Sequence, residues 1–308
     1  MTSDYYWYLK PRFYKDQKTS REVIKRAIEL GCNHFDTADV YGYGQSETVL
    51  SEFLKVNPNI RITTKIGWNF YNFEVKDKTK RYLLEKLQKN LELIPYKQNI
   101  CFSHELNFNP TYLDFALEES LKRLGRNYID ILLLHMPTVK DLQSNQWEKY
   151  LIEKKRQGKC LVYGLSLCSP IEVYTAIYSG IPEIIQVPIS LVNNEPMLLA
   201  LEMAKSKGIK IIGREIFHSG NIFSELKRVL PEISNSDISK SLIYQVLENQ
   251  IVDHLLIGCT STKQVEEILN LTNIYEENDP SLNKNIKIAY EKIFSDANPI
   301  LPTLDSTN

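Results

Sequence analysis

Four polar residues in the first half of the chain have the types needed for acid–base work on a carbonyl group. Asp36 ends a short apolar run, and Tyr41 follows it five residues later in a glycine-containing loop. Lys65 stands near the end of the next apolar run, and His135 closes a later one. If these runs are parallel strands, their carboxyl ends meet at one rim of the sheet. We therefore expect the four side chains to converge there.

These residue types together are suited to proton transfer. A free tyrosine has a pKa of about 10, but a buried ammonium beside it stabilises the phenolate and lowers that pKa. Lys65 would supply the ammonium, and Asp36 would keep it charged. His135 would orient a carbonyl oxygen, which Tyr41 protonates as hydride reaches the carbon. Each residue alone has an ordinary structural explanation, but their joint order predicts carbonyl reduction, or alcohol oxidation in reverse.

The elements that must position this set are repeated βα units. Short apolar runs alternate with turns and amphipathic segments to the end of the chain, which predicts parallel strands joined by helices. No glycine-rich phosphate turn follows the first strand, which favours a closed (β/α)8 TIM barrel over an open doubly wound sheet. The runs interpreted as strands are 34–36, 60–67, 129–135, 160–166, 183–188, 209–214 and 254–259, with YYWYL (5–9) as an eighth candidate.

Helix boundaries and chain length complete this interpretation. Residues 20–30 form one predicted helix that stops at Gly31, and Pro110 and Pro170 each open another. The span between the Lys65 and His135 strands is longer than one βα unit needs, so an insertion with an extra helix at 81–93 is expected. The N-terminus is atypical for the barrel, and the tail at 298–308 is expected to be loose. A single domain over 1–308 is the simplest division.

Composition excludes several functional classes. With 43% hydrophobic and 24% charged residues, the 308-residue chain can bury a large core. A net charge of −1 with scattered basic residues is unlike a protein that binds nucleic acid or an anionic membrane. No run of about 18 apolar residues occurs, and no apolar stretch of signal-peptide length opens the chain. Five dispersed cysteines without a CxxC pair argue against disulfides and zinc, so a reducing cytoplasm is expected.

Several segments resemble the aldo-keto reductase family, over about residues 19–272. They are DTADVYGYGQSE, TTKIG, SLKRLGRNYIDILLLHMP and the later GLS and IIQVP. The resemblance implies that Asp36, Tyr41, Lys65 and His135 are a catalytic tetrad, and that a small aldehyde, ketone or sugar is the substrate. The segment SHELNFNPTYLDFALEESL looks most like the aldose and galactose dehydrogenase branch of the family.

The same resemblance implies a bound NADP, with NAD as the alternative. Ser166 and Gln186 would hold the nicotinamide carboxamide, and Arg214 would pack on the ring. Backbone N–H groups between Ile216 and Gly220 would bind the pyrophosphate, and the segment after the last strand would bind the adenosine end, where Lys263 favours NADP. The residues implied are Ser166, Gln186, Arg214, Ile216, Phe217, Gly220, Gly258, Thr260, Ser261, Gln264 and Glu267.

Two other functions remain open at this point. Leu167, Glu215 and Ile268 depart from the family pattern in the cofactor half, which favours a cofactor-binding scaffold or regulatory protein with little turnover. An ordinary capped helix start is the less favoured explanation of TSTKQ. A metal-dependent hydrolase on the same barrel is the weaker alternative, because none of the five histidines has a paired ligand spacing. The sequence indicates no oligomeric state and no individual substrate.

Overall fold

Eight parallel strands close into a barrel in the computed structural model, which describes residues 7–9, 17–69, 105–191, 195–271 and 279–294. Each strand pairs with its neighbours in sequence, and the first closes the ring by pairing Trp7 with Leu255 of the last. The predicted (β/α)8 barrel is confirmed, and within YYWYL it is residues 7–9 that supply the eighth strand. The strands are β1 (Trp7–Leu9), β2 (His34–Asp36), β3 (Arg61–Ile66), β4 (Ile129–His135), β5 (Cys160–Ser166), β6 (Ile184–Pro188), β7 (Lys210–Arg214) and β8 (His254–Ile257).

Helices surround the strands, and those predicted to open at Pro110 and Pro170 do begin there. The first helix, predicted over 20–30, instead spans Gln17–Glu29. The third begins after Asn109, whose side chain accepts the N–H of Thr111, and ends at Gly125 in the left-handed conformation. Within the described ranges no helix is long and apolar enough to cross a membrane. The helices there are α1 (Gln17–Glu29), α2 (Gln45–Leu54), α3 (Pro110–Leu124), α4 (Val139–Gln143), α5 (Gln146–Arg156), α6 (Pro170–Ser179), α7 (Glu195–Ser206), α8 (Asn221–Val229), α9 (Asn235–Glu248), α10 (Thr262–Leu269) and α11 (Pro280–Phe294).

The core has two layers, as expected for this architecture. A large cluster fills the space between strands and helices and includes Leu113, Leu117 and Leu124 of α3, each 1% exposed. A small cluster inside the barrel includes Leu133 and Ile212. Because both faces of the strands are buried, the strands appear in the sequence as apolar runs. The strand ends are then the places where polar groups can gather.

The insertion between β3 and β4 starts and finishes at the carboxyl end of β3. The N–H of Asn69 donates to the carbonyl oxygen of Glu105 at 2.8 Å, and the N–H of Asn107 donates to that of Gly67 at 2.8 Å. The inserted segment therefore leaves and returns at the rim that carries Lys65. The helix predicted at 81–93 and the tail at 298–308 lie outside the described residues.

Candidate active site

A buried ion pair lies at the centre of the site. Lys65 Nζ donates to Asp36 Oδ1 at 2.5 Å and to the carbonyl oxygen of Thr37 at 2.8 Å. Both charged side chains are almost fully buried, with Lys65 1% and Asp36 0% exposed. Breaking a buried pair from one side leaves an uncompensated charge, which is far more costly than losing a surface pair. The pair is therefore a fixed part of the rim.

Tyr41 lies beside this pair on the loop between β2 and α2. Lys65 Nζ is 5.3 Å from the centroid of the Tyr41 ring. The loop makes tight turns, in which Gly42, Tyr43 and Gly44 all have positive φ. At Gly44 (φ 88°) an added Cβ would lie 2.8 Å from Cδ and Nε of Arg123, so a close approach as well as the backbone conformation requires glycine there.

His135 completes the group of four predicted side chains. Its ring meets that of Tyr41 edge to face, with centroids 5.7 Å apart and an interplanar angle of 82°. Trp68, just beyond β3, packs on the same imidazole with centroids 6.2 Å apart. Trp68 was not among the residues singled out from the sequence, although the strand-end rule that selected Lys65 also points to it. The structure thus brings all four predicted acid–base residues together at one rim.

A second set of buried charges supports the loop from the side of α2 and α3. Glu47 is fully buried, accepts from Thr64 Oγ1 at 2.6 Å and pairs with Arg123 at 2.7 Å. Asp39 is also fully buried, and its N–H donates to the carbonyl oxygen of Lys65 at 3.0 Å. Burial, and then the neighbouring Glu47 carboxylate, raise the pKa of Asp39 well above its usual range. Asp36 thus pairs with a cation, whereas Asp39, three residues later, lies near a second carboxylate.

The two residues predicted to hold a carboxamide lie next to the ion pair. Gln186 Nε2 donates to Asp36 Oδ2 at 2.8 Å, and Ser166 Oγ lies 3.5 Å from Gln186 Oε1. Gln186 is 1% and Ser166 2% exposed. Because Asp36 occupies the amide nitrogen, the amide oxygen of Gln186 is directed toward Ser166 and is the atom suited to accept from a ligand N–H. These atoms fit a nicotinamide carboxamide.

Arg214 crosses the mouth of the barrel from β7. Its guanidinium donates to the carbonyl oxygen of Leu167 and contacts Cys168 Sγ, both at 3.2 Å, and it pairs with Glu215 through a short contact. The unusual carboxylate at position 215 is thus neutralised by its own neighbour. This removes the main electrostatic objection to an anionic group on the following loop.

The residues that follow, 216–220, form a tightly wound loop. Ile216 is buried, Phe217 is partly buried, and Gly220 is exposed at the start of α8. The N–H of His218 donates to the carbonyl oxygen of Glu215 at 2.8 Å, and that of Gly220 donates to Phe217 at 2.7 Å. Successive N–H groups in such turns form concave sites for anions. The N–H groups of His218 and Gly220 are already used within the loop, so a pyrophosphate would have to accept from its other N–H groups.

The predicted adenosine contacts lie around the start of α10. Ser261 caps the helix by accepting from the N–H of Gln264 at 3.3 Å, while Gln264 Oε1 accepts from the N–H of Thr260 at 2.7 Å. Glu267 lies 3.8 Å from Lys263, whose side chain is 83% exposed. These side chains therefore cap the helix or face solvent. Gly258, just after β8, is exposed and leaves room for a ligand beside the helix N-terminus.

Within the described ranges no group of three or more His, Cys, Asp and Glu side chains is arranged to hold a metal ion. The arrangement that the structure does offer is a phenol beside a buried ammonium, an imidazole packed edge to face against the phenol, and polar atoms suited to a carboxamide. A phenol in these surroundings can give a proton to, or take one from, an oxygen atom that the imidazole orients.

Comparisons with known proteins identify the family of the chain. A family model described as "Aldo/keto reductase family" matches residues 9–269. L-galactose dehydrogenase of Arabidopsis thaliana is 24% identical over 278 residues, which span 80% of this chain and 75% of that protein. Aldo-keto reductase yakc (NADP(+)) of Schizosaccharomyces pombe is 26% identical over 205 residues, 64% of this chain and 51% of that protein.

Solved structures show the same fold. The holo form of aldo-keto reductase AKR11C1 from Bacillus halodurans has a TM-score of 0.71 with this chain at 19% identity, and the similarity covers 93% of this chain and 92% of that chain. At this level of identity the likeness concerns the fold. The function of this chain must be argued from its own site.

Proposed function

Because this chain belongs to the aldo/keto reductase family, we propose that it is an NAD(P)H-dependent oxidoreductase that reduces a small aldehyde, ketone or sugar to the alcohol, or catalyses the reverse. The observation that carries the proposal is the buried Lys65–Asp36 pair whose ammonium lies 5.3 Å from the Tyr41 ring centroid. The similarity to L-galactose dehydrogenase supports a sugar or aldose-like substrate.

Tyr41 is the general acid in this proposal. Its phenol donates a proton to the carbonyl oxygen of the substrate, and the phenolate that forms is stabilised by the Lys65 ammonium. Asp36 keeps the ammonium charged and in place. His135 orients the carbonyl oxygen by a hydrogen bond, and Trp68 limits the movement of its ring. When bound, the reduced nicotinamide supplies the hydride.

The cofactor is proposed to lie across the rim from Gln186 to α10. Ser166 and Gln186 Oε1 hold the carboxamide, and Arg214 covers the ring. The loop 216–220 binds the pyrophosphate, and the segment 258–267 binds the adenosine end. Lys263 and the similarity to an NADP(+)-named relative support NADP, with NAD as the alternative. Five widely spaced cysteines, none of them in a CxxC pair, support a reducing cytoplasm.

The replacement Tyr41→Phe tests the acid. Reduction of a reactive test aldehyde such as 4-nitrobenzaldehyde, followed by NADPH absorbance, should fall about a hundredfold or more, because general acid catalysis has that size. The Kd for NADPH, measured by quenching of protein fluorescence, should change less than about twofold. Tyr43→Phe, which removes a hydroxyl from the same loop, is the matched control and should keep its activity. Equal activity of Tyr41→Phe and the wild type would remove Tyr41 from the mechanism.

A second candidate function is a cofactor-binding scaffold with little turnover. It is favoured by the cofactor half, where Leu167 and Ile268 depart from the family pattern and are buried apolar side chains that offer no hydrogen bond to a cofactor. The same titrations separate the two candidates. Tight binding of NADPH or NADH without turnover of any aldehyde, ketone or sugar in a broad panel would favour the scaffold.

A further inference from the structure

Helix α11 lies beyond the residues that the family model matches, yet one of its side chains reaches the loop proposed to bind pyrophosphate. Tyr290 is 1% exposed, and its hydroxyl makes a short hydrogen bond with Nε2 of His218. The two ring centroids are 5.7 Å apart. Helix α11 therefore contacts the loop that carries His218 through the buried phenol of Tyr290.

Tyr290 has further partners in the loop after β6. Burial raises the pKa of its phenol to about 12, and hydrogen bonds with Ser190 and with the backbone of Leu191 partly offset that effect. The phenol can donate to His218 Nε2 when the imidazole is neutral with its proton on Nδ1. Burial lowers the pKa of His218, which agrees with the neutral form.

The loop that His218 belongs to needs such a contact. Glu215, His218 and Ser219 have φ values of 64°, 45° and 58°, a region that non-glycine residues enter at a cost of about 1 kcal/mol or more each. Strained conformations of this kind persist only where surrounding contacts hold them. Tyr290 supplies a buried contact from α11 and joins it to the loop after β6 through Ser190 and Leu191.

We propose that Tyr290 is a positioning residue for the dinucleotide: through His218 it holds the loop 215–220 in the conformation that presents backbone N–H groups to the pyrophosphate. The inference rests on the proposed function, since it needs this loop to be part of the cofactor site. It adds a residue from outside the matched region. Tyr290 itself does not touch the reacting atoms.

The test compares Tyr290→Phe with Tyr244→Phe in the full chain. Tyr244 is the matched control, because its hydroxyl also makes a helix-borne hydrogen bond, to Glu248 at 2.8 Å, but on the exposed face of α9. Losing one buried hydrogen bond should raise the Kd for NADPH about fivefold to tenfold in Tyr290→Phe. Tyr244→Phe should leave that Kd unchanged. The kcat at saturating cofactor should stay within about twofold of the wild type in both.

A fragment of the cofactor separates positioning from general damage. The compound 2′-AMP has no pyrophosphate and would occupy the adenosine end, so Tyr290→Phe should bind it as well as the wild type does. His218→Leu, which removes the same hydrogen bond from the loop side, provides a second route if Tyr290→Phe does not fold. The variant that carries both changes should bind NADPH as weakly as the weaker-binding single variant, and no more weakly, because both changes remove the same hydrogen bond.

The outcomes are distinct. If the wild type binds NADPH or NADH and Tyr290→Phe binds it equally well, the inference is wrong and the proposed function stands. If Tyr290→Phe weakens 2′-AMP as much as NADPH, the hydroxyl supports the fold in general and the inference is again wrong. If the wild type binds neither dinucleotide, the proposed function fails and the inference fails with it.

Discussion

We expect acid to destabilise this barrel because His34 can bind a proton only when the chain unfolds. It lies two positions before Asp36 on β2, so its side chain points into the barrel one layer below the ion pair. It is 2% exposed, with Nε2 2.9 Å from Thr63 Oγ1. Burial, assisted by the charges of Arg61 and His254, lowers the pKa of His34 to about 3. We expect His34→Gln to keep a polar contact with Thr63 and to remove the titration.

The size of the effect follows from the two pKa values. In the unfolded chain His34 has a pKa of about 6.5, whereas in the folded chain it is about 3. As pH falls below 6.5, His34 binds a proton in the unfolded state but not in the folded state. The free energy of unfolding therefore decreases progressively down to about pH 3. Each pH unit in this window costs about 1.4 kcal/mol, and the loss between pH 7 and pH 5 is about 2 kcal/mol.

Urea denaturation at pH 7, 6 and 5, followed by tryptophan fluorescence and circular dichroism, measures this loss. Every other titrating group is common to both proteins, so the difference between the two pH slopes isolates His34. The wild type should lose about 2 kcal/mol more than His34→Gln over that range. If the two proteins lose stability in parallel, within about 0.5 kcal/mol, His34 does not carry the acid sensitivity and the reasoning from its burial is refuted.

Two further predictions concern the loop that carries the candidate acid. Asp39→Asn should gain stability relative to the wild type as pH rises from about 4 to 7, because Asp39 ionises in the unfolded wild type over this range while burial keeps its carboxyl protonated in the folded state; equal slopes in urea denaturation would contradict this. Gly44→Ala should cost about 1 to 2 kcal/mol more than Gly158→Ala in the same assay. Both glycines have positive φ, but only at Gly44 does the new Cβ meet Arg123, so equal losses would show that the contact is unimportant.

The sequence predicted the barrel well because several strands, such as β4 and β5, are buried on both faces and therefore appear as largely apolar runs. Three of these runs, at 34–36, 129–135 and 160–166, match β2, β4 and β5 residue for residue. β1 was the hardest strand to identify, because it is only three residues long and its position depends on pairing with β8. The gathering of Asp36, Tyr41, Lys65 and His135 followed from one rule, that parallel strands end at a common rim.

Contacts between side chains far apart in the sequence could not be predicted in this way. Gln186 reaches Asp36 across 150 positions, and His218 reaches Tyr290 across 72. Nothing in the spacing or the residue types of either pair indicates that its two side chains are in contact. Trp68 differs, since it follows β3 directly and the strand-end rule would have included it. Register and strand ends are local signals, whereas the choice of partner across the barrel depends on the closed fold.

The Arg214–Glu215 pair shows why a departure from a family pattern has to be weighed together with its neighbours. Taken alone, a carboxylate at position 215 argues against a phosphate site, since like charges repel. In the folded chain Glu215 pairs with Arg214, whose side chain is only 12% exposed, so the two charges largely cancel. An arriving anion therefore meets a neutral pair whose cation is fixed by Leu167 and Cys168 and whose carboxylate is 53% exposed to solvent. The substitution at 215 is thus compatible with a dinucleotide because Arg214 is its neighbour.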